Sequence, residues 1–381
     1  MDNYKRIGVT TFFTKTEGAG GEIKENPKDF IVQEIPEEGN PVSLEPSPEI
    51  PEGEGDQTRF TLVKRDWNQS KILQKISRRC GVSRKRFSYA GTKDKYALTA
   101  QRISAWKVGP GTLSKISFKD CKIGDFSFAK DRLELGDLWG NRFTITLSGP
   151  KNPENAEKTI KKLKKAGGIP NFFGRQRFGI RLNNHLVGKE MFRENLGKAV
   201  RIFLTGTIES EGEEGRKARQ KLEKNWPDFK QALKDFPNYM RFERAVLDRL
   251  NRYPKDYVGA FKQLPKFLYK IFTHSYQSYI FNLILSEKIE KNESLDGEGN
   301  LVGYDSDLTE RELELLEKDG LQQTDLRINS FPEASVKGSR RPYLAKVKNL
   351  KSKKENSDII LNFDLEKGAY ATVLLREIIK Q

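Results

Sequence analysis

Gly91-Thr92-Lys93-Asp94-Lys95 sets one carboxylate between two lysines on a glycine turn. Phe87, Tyr89 and Ala90 lead in, and Ala97-Leu98-Thr99-Ala100-Gln101 leads out, so apolar walls lie close by. A carboxylate held in a tight cationic turn is a candidate catalytic group; a charged surface turn would carry the same residues. A second run, Pro170-Asn171-Phe172-Phe173-Gly174-Arg175-Gln176-Arg177-Phe178-Gly179, alternates aromatics, amides and arginines. Such a set can stack a splayed base, hydrogen-bond its edge and hold phosphates. An aromatic loop plugging a core, with its arginines at the surface, is the alternative.

Other chemistries lack their residues. Cys80 and Cys121 have no metal-ligand spacing and point to a reducing compartment rather than a disulfide scaffold. His185 and His274 are far apart in sequence and read as structural, with no Ser-His or Cys-His mechanism indicated. Neither a phosphate-cradling G-x-x-x-x-G-K-[ST] run nor a full dinucleotide fingerprint occurs, so no cofactor and no metal are expected. The chain has 381 residues, a net charge of +16 and 32% charged residues. That length allows two or three domains, and the surplus of positive charge suggests a polyanionic partner, nucleic acid first. With no signal peptide and no apolar run long enough to span a bilayer, a cytoplasmic location and no membrane partner are expected.

The elements that must position these runs follow from periodicity. Phe30–Ile35 reads as a strand after a proline turn, and Arg59–Lys64 as its return across a Pro/Glu/Gly-rich loop at 34–56. Asn68–Arg79 is a helix with Ile72, Leu73 and Ile76 as its stripe and Gly81 as its stop. Arg102–Val108 reads as a strand, which places Asp94 on the connection between two rigid elements. More sheet is expected over 122–148, with clean alternation in Arg142–Leu147, then a helix over 153–166 ending in a lysine cluster. Those lysines suit the helix dipole or a phosphate equally. Residues 195–340 turn helical and heavily charged, with helices expected over 209–224, 229–236, 242–252, 266–288 and 310–318. The aromatic helix around His274–Phe281 reads as packing. Strands at 344–347 and 358–365 and a terminal helix from Val373 close the chain.

Five blocks now carry a resemblance: AGTKDKYALTAQ (90–101), PNFFGRQRFG (170–179), GNRFTITL (140–147), IKENPKDFIVQE (23–34) and GAYATVLLRE (368–377). In residues and in order they resemble the TruD family of RNA pseudouridine synthases, across nearly the whole chain. The resemblance implies an α+β pseudouridine synthase fold, with a mixed, mainly antiparallel sheet flanked by helices and an inserted, largely helical TRUD domain. The domains expected are a catalytic part over 1–194, the insertion over 195–340 and a catalytic C-terminal part over 341–381. It implies isomerisation of uridine to pseudouridine in tRNA, best known at uridine 13, without cofactor or metal. Asp94 matches the catalytic aspartate. Phe30, Asn171, Phe173 and Tyr370 match residues that bind the uracil, Tyr370 standing where many relatives carry phenylalanine. Lys24, Lys93 and Arg376 match basic residues that would pair with Asp94 or touch RNA. Trp139 stands where lysine is common, which weakens a phosphate role there. A non-catalytic RNA-binding protein on the same fold is the rival reading, against which the intact Asp94 turn argues. A monomer is expected, with the insertion's basic face gripping the tRNA body.

Overall fold

The computed structural model describes residues 3–23 and 26–380. Its strands are β1 (Glu22–Ile23), β2 (Phe30–Ile35), β3 (Gln57–Arg65), β4 (Phe87–Tyr89), β5 (Leu98–Trp106), β6 (Cys121–Ala129), β7 (Gly140–Ser148), β8 (Gly168–Pro170), β9 (Glu298–Leu301), β10 (Ser339–Pro342), β11 (Leu344–Glu355) and β12 (Asp358–Glu366). The chain packs as two compact units: Thr14–Ile169 with Ala345–Gln381, and Met1–Phe13 with Pro170–Leu344.

The first unit is built on a ten-stranded sheet in the order β6-β3-β5-β2-β7-β12-β11-β8, with β1 on β7 and β4 on β5. β2 runs parallel to β5, while the pairs β3–β5, β3–β6, β4–β5, β2–β7, β7–β12 and β11–β12 are antiparallel. The mixed, mainly antiparallel sheet is therefore present. Alternation decides which side chains point into the core. Phe60, Leu62 and Ile103 meet Ile72, Leu73 and Ile76 of the helix Gln69–Arg79, all fully buried. Each such side chain contributes roughly 1.5–3 kcal/mol by leaving water. Asn68 caps that helix by accepting from the Lys71 N–H at 3.1 Å. Further along the sheet, Phe30 meets Phe143 edge-on at 6.1 Å, and Phe143 stacks on Phe363 at 5.2 Å. Gly140 is required where β7 starts beside β12, since a Cβ there would lie 1.9 Å from the Leu365 carbonyl oxygen.

The second unit centres on the helix Lys266–Glu290, against which Asn184–Phe192 packs. The aromatic helix is packing, as expected. His185 stacks on Tyr279 at 4.7 Å, and burial pushes its imidazole down to about 3, so it stays neutral. The Tyr276 hydroxyl donates to Asp319 at 2.9 Å. The expected helices are all present within a few residues, joined by Leu196–Thr205, Tyr257–Phe261 and the antiparallel pair β9–β10.

Two departures matter. β5 begins at Leu98, four residues before the expected Arg102, because Leu98 to Gln101 pair with Arg65 to Leu62 of β3. The division between units falls at Pro170 rather than at 195. The 171–178 loop meets residues about a hundred positions downstream, with Phe173 against Phe281 and the Arg177 carbonyl accepting from Ser275, a partnership that no local change of composition marks.

Candidate active site

Asp94 lies on the connection between β4 and β5 with its side chain exposed. Nothing in this connection is regular, so its shape depends on side chains that reach it from elsewhere in the first unit. Gln69, the first residue of its helix and 2% exposed, accepts from the Lys93 N–H at 2.7 Å and donates to the Gly91 carbonyl at 3.3 Å. Gln101 donates to the same carbonyl at 3.2 Å. From β3, the Lys64 ammonium donates to the Asp94 carbonyl oxygen at 2.6 Å. Four polar groups from a helix and two strands thus fix the backbone that presents the carboxylate. Buried polar groups of this kind hold their positions because leaving them unpaired costs about 1–3 kcal/mol each.

Lys64 is fully buried. Burial lowers its ammonium to about 8, with Lys93 adding to the fall, while Asp94 and Asp66 pull it back up. A buried cation lowered to about 8 therefore meets the Asp94 backbone. Sequence reading passed over this residue, although a signal was present. In Phe60-Thr61-Leu62-Val63-Lys64 the pleat puts Lys64 on the same face as Phe60 and Leu62, in a strand whose residues 60–64 are all buried.

The expectation for Lys93 is corrected. Its ammonium pairs with Glu34 at 2.8 Å, and the two side chains are 4% and 2% exposed. The other oxygen of Glu34 accepts from the Arg102 N–H at 3.0 Å. A lysine so enclosed presents no charge to RNA; it ties the turn to β2. Lys95 is the outward one, 66% exposed and 3.9 Å from Asp66. Of the other expected partners, Lys24 lies outside the described residues. Arg376 is nearly buried, 3.8 Å from Glu377, on the helix Ala371–Ile379 that Tyr370 precedes. Tyr370 is half-buried, and Phe30 is 2% exposed at the start of β2. At Trp139, where a lysine is common, the ammonium of Lys348 lies 4.2 Å from the ring centre, so a cation reaches that spot from another strand.

In the second unit, the 171–178 loop is largely consumed by its own surroundings. Phe172, Phe173 and Phe178 are at most 2% exposed, and Asn171 is 6% exposed. The Asn171 side chain donates to the Pro342 carbonyl at 3.0 Å and accepts from Arg341, whose Nε also donates to the Asn171 carbonyl at 3.0 Å. The Arg341 guanidinium lies 4.0 Å from the centre of the Phe173 ring, with Arg177 at 5.1 Å. The buried Asn282 completes the frame, accepting from the Phe173 N–H at 2.9 Å and donating to its carbonyl at 3.1 Å. Packing is thus one role of this loop. Asn282 was missed because an asparagine inside an aromatic helix carries no local signature.

Among the described residues no cluster of three or more His, Cys, Asp or Glu could hold a metal, and no helix is long and apolar enough to cross a membrane.

Comparison with known proteins agrees with the blocks read above. The family model for tRNA pseudouridine synthase D (TruD) matches residues 6–307 and 297–378. A protein of Methanopyrus kandleri named as a tRNA pseudouridine synthase D is 38% identical over 346 residues, 86% of each chain. One from Methanosarcina mazei with the same name is 37% identical, over 99% of this chain and 97% of its own. The crystal structure of a TruD from Methanosarcina mazei superposes with a TM-score of 0.82 at 34% identity, covering 100% of this chain and 98% of that one. The alternation, the ordered blocks, the sheet and the matches over nearly the full length lead to one conclusion: this chain belongs to the tRNA pseudouridine synthase D family.

Proposed function

We propose that this chain isomerises uridine to pseudouridine in tRNA, at uridine 13, with Asp94 as the catalytic carboxylate. The observation that carries the reading is the Asp94 turn itself: an exposed carboxylate on a backbone held by Gln69, Gln101 and the buried Lys64. Preorganised carboxylates of this kind suit chemistry at a sugar carbon. In the reaction the N1–C1′ bond breaks, the uracil turns, C5 bonds to C1′, the C5 proton departs and N1 takes up a proton. No oxidant is consumed. Asp94 contributes either by attacking C1′ or by taking the C2′ proton on a glycal route.

The target nucleotide must leave its stack at a cost of a few kcal/mol. Aromatic stacking worth about 1–3 kcal/mol per base offsets that cost. Phe30 and Tyr370 are the rings proposed for the uracil. Asn171 and Phe173 are proposed to share in its recognition besides their packing role, with Arg376 and Lys24 as charge partners or RNA contacts. The direct test incubates the purified protein with a uridine-containing tRNA transcript and maps pseudouridine. Product at position 13 from the unsubstituted chain and none from Asp94→Asn is the expected result. Product from Asp94→Asn would remove that residue from the mechanism.

A further inference from the structure

Positive charge in this chain is concentrated. Residues 67–119 hold thirteen lysines and arginines and one acid, Asp94, a surplus of twelve out of the chain's +16. The helical region 195–340, where a basic face was expected, holds twenty-four cations and twenty-four acids. Many of those are paired, as in Arg201–Glu223 at 2.7 Å and Lys221–Asp235 at 2.8 Å. The 67–119 stretch therefore carries most of the chain's net positive charge.

Three segments of the 67–119 stretch cover one apolar core: the helix Gln69–Arg79, the 3₁₀ turn Arg84–Arg86, and the chain from Trp106 to Lys119. Their inward sides are set by Ile72, Leu73, Ile76, Phe87 and Leu113, so their outward sides are contiguous. Lys71, Lys75 and Arg78 occupy one exposed helix face at i, i+4 and i+7, opposite the apolar stripe. Arg79 lies 5.7 Å from the Phe118 ring, joining the helix to the last segment. Arg86 donates to the Lys107 carbonyl at 3.3 Å, joining the turn to it as well. Among the described residues none of these cations forms an ion pair. Several cations of this face rest on rings, with Lys75 at 5.5 Å from Trp67, Arg84 at 5.7 Å from Tyr89, and Arg86 and Lys107 each at 5.3 Å from the exposed Trp106.

From this we infer that the outer face of the helix Gln69–Arg79, continued by Arg84–Arg86 and Trp106–Lys107, is a docking surface for the phosphodiester backbone of the substrate RNA. The inference deepens the proposed function and rests on it for the identity of the RNA. Charge complementarity selects the occupant: clustered cations without neighbouring acids repel one another until an anion with closely spaced charges covers them. Because cations already sit against the rings, the face offers charge rather than open stacking platforms, which suits contacts that position a duplex without reading sequence. The same helix holds the Asp94 turn through Gln69, so a backbone seated here would be registered to the catalytic carboxylate.

The test compares full-length Lys71→Ala/Lys75→Ala/Arg78→Ala with a control triple, Lys161→Ala/Lys164→Ala/Lys165→Ala, of equal charge change. tRNA affinity is measured across a salt series, alongside melting temperature and single-turnover pseudouridine formation at saturating tRNA. The helix variant is expected to bind tRNA at least tenfold more weakly. The slope of log Kd against log salt should shrink by about 2–3 for three lost phosphate contacts, with unchanged melting and near-normal turnover once saturated. Unchanged affinity and slope, or an equal loss in the control triple, overturns the surface. Binding that is lost only for anionic phospholipid vesicles, with tRNA affinity intact, overturns it too. If the unsubstituted chain forms no pseudouridine yet the helix variant still loses tRNA affinity, the proposed function fails and the surface stands.

Discussion

The 90–97 turn and the 171–178 loop use similar materials: aromatics, glycine, basic residues and one residue able to act on a nucleotide. Their outcomes are opposite. In the turn, buried groups from a helix and two strands fix the backbone, and the Asp94 carboxylate is left at the surface. In the loop, the groups that could act on a ligand, the Asn171 amide and the Phe173 ring, are themselves the ones held, by Pro342, Arg341 and Arg177. A polar group presented at the surface by a firmly held backbone is positioned for chemistry, whereas one enclosed by its neighbours supports packing first. That contrast separates a residue whose loss stops a reaction from one whose loss first loosens a fold.

The largest effect should come from the turn. Asp94→Asn is expected to lower pseudouridine formation by on the order of a thousandfold or more, with melting temperature unchanged because the side chain is exposed. A variant that melts much earlier would make Asp94 structural and erase the contrast.

Phe173→Ala in the loop should instead cost about 3–5 kcal/mol of stability, the usual range for emptying a phenylalanine site. Asn171→Ala should cost about 1–3 kcal/mol through the partners it leaves unpaired. Denaturant unfolding measures both. Assayed well below their melting points, any further drop in kcat/KM beyond the folded fraction would reveal the proposed contact with uracil. Full stability with lost turnover would turn the comparison around.

Lys93→Ala leaves Glu34 buried without its partner and should destabilise by about 3–5 kcal/mol. If Lys93 contacted RNA, tRNA affinity would fall while unfolding stayed put.

The smallest and most specific effect belongs to Lys64→Met. The unsubstituted chain is expected to lose activity near pH 8 as Lys64 loses its proton, and Lys64→Met should lower turnover about tenfold and abolish that decline. Stability should move the other way. Lys64 is lowered to about 8 in the fold from an ordinary 10.5, so the unfolded chain holds more protons between those values. Stability of the unsubstituted chain therefore rises relative to Lys64→Met as pH goes from 8 to 10.5. A constant difference in melting temperature across that window would refute a buried, titrating lysine at this site.

Much of this was legible in the chain. The strand β2 was read with its observed ends, the helix Asn68–Arg79 to within a residue, and Asp94 was set on a connection between two elements, although the short strand β4 before it was not foreseen. The family was legible too, because five ordered blocks survive as linear text. Local periodicity reports which face of an element turns inward, and that information is complete within a few residues.

What the tertiary structure decided are partnerships over long separations. Lys64 meets Asp94 thirty residues on, and Lys93 meets Glu34 fifty-nine residues back. Asn171 is held from Arg341, one hundred and seventy positions away. Alternation could say that Lys64 shared a face with Phe60 and Leu62, but not which carbonyl it would find. Composition could say that the 171–178 loop carried an amide and rings, but not that another part of its unit would occupy them. The residue types and the order of elements were therefore fixed locally, by pattern. The division of the turn and the loop into reagent and support was fixed by which distant backbone each side chain met.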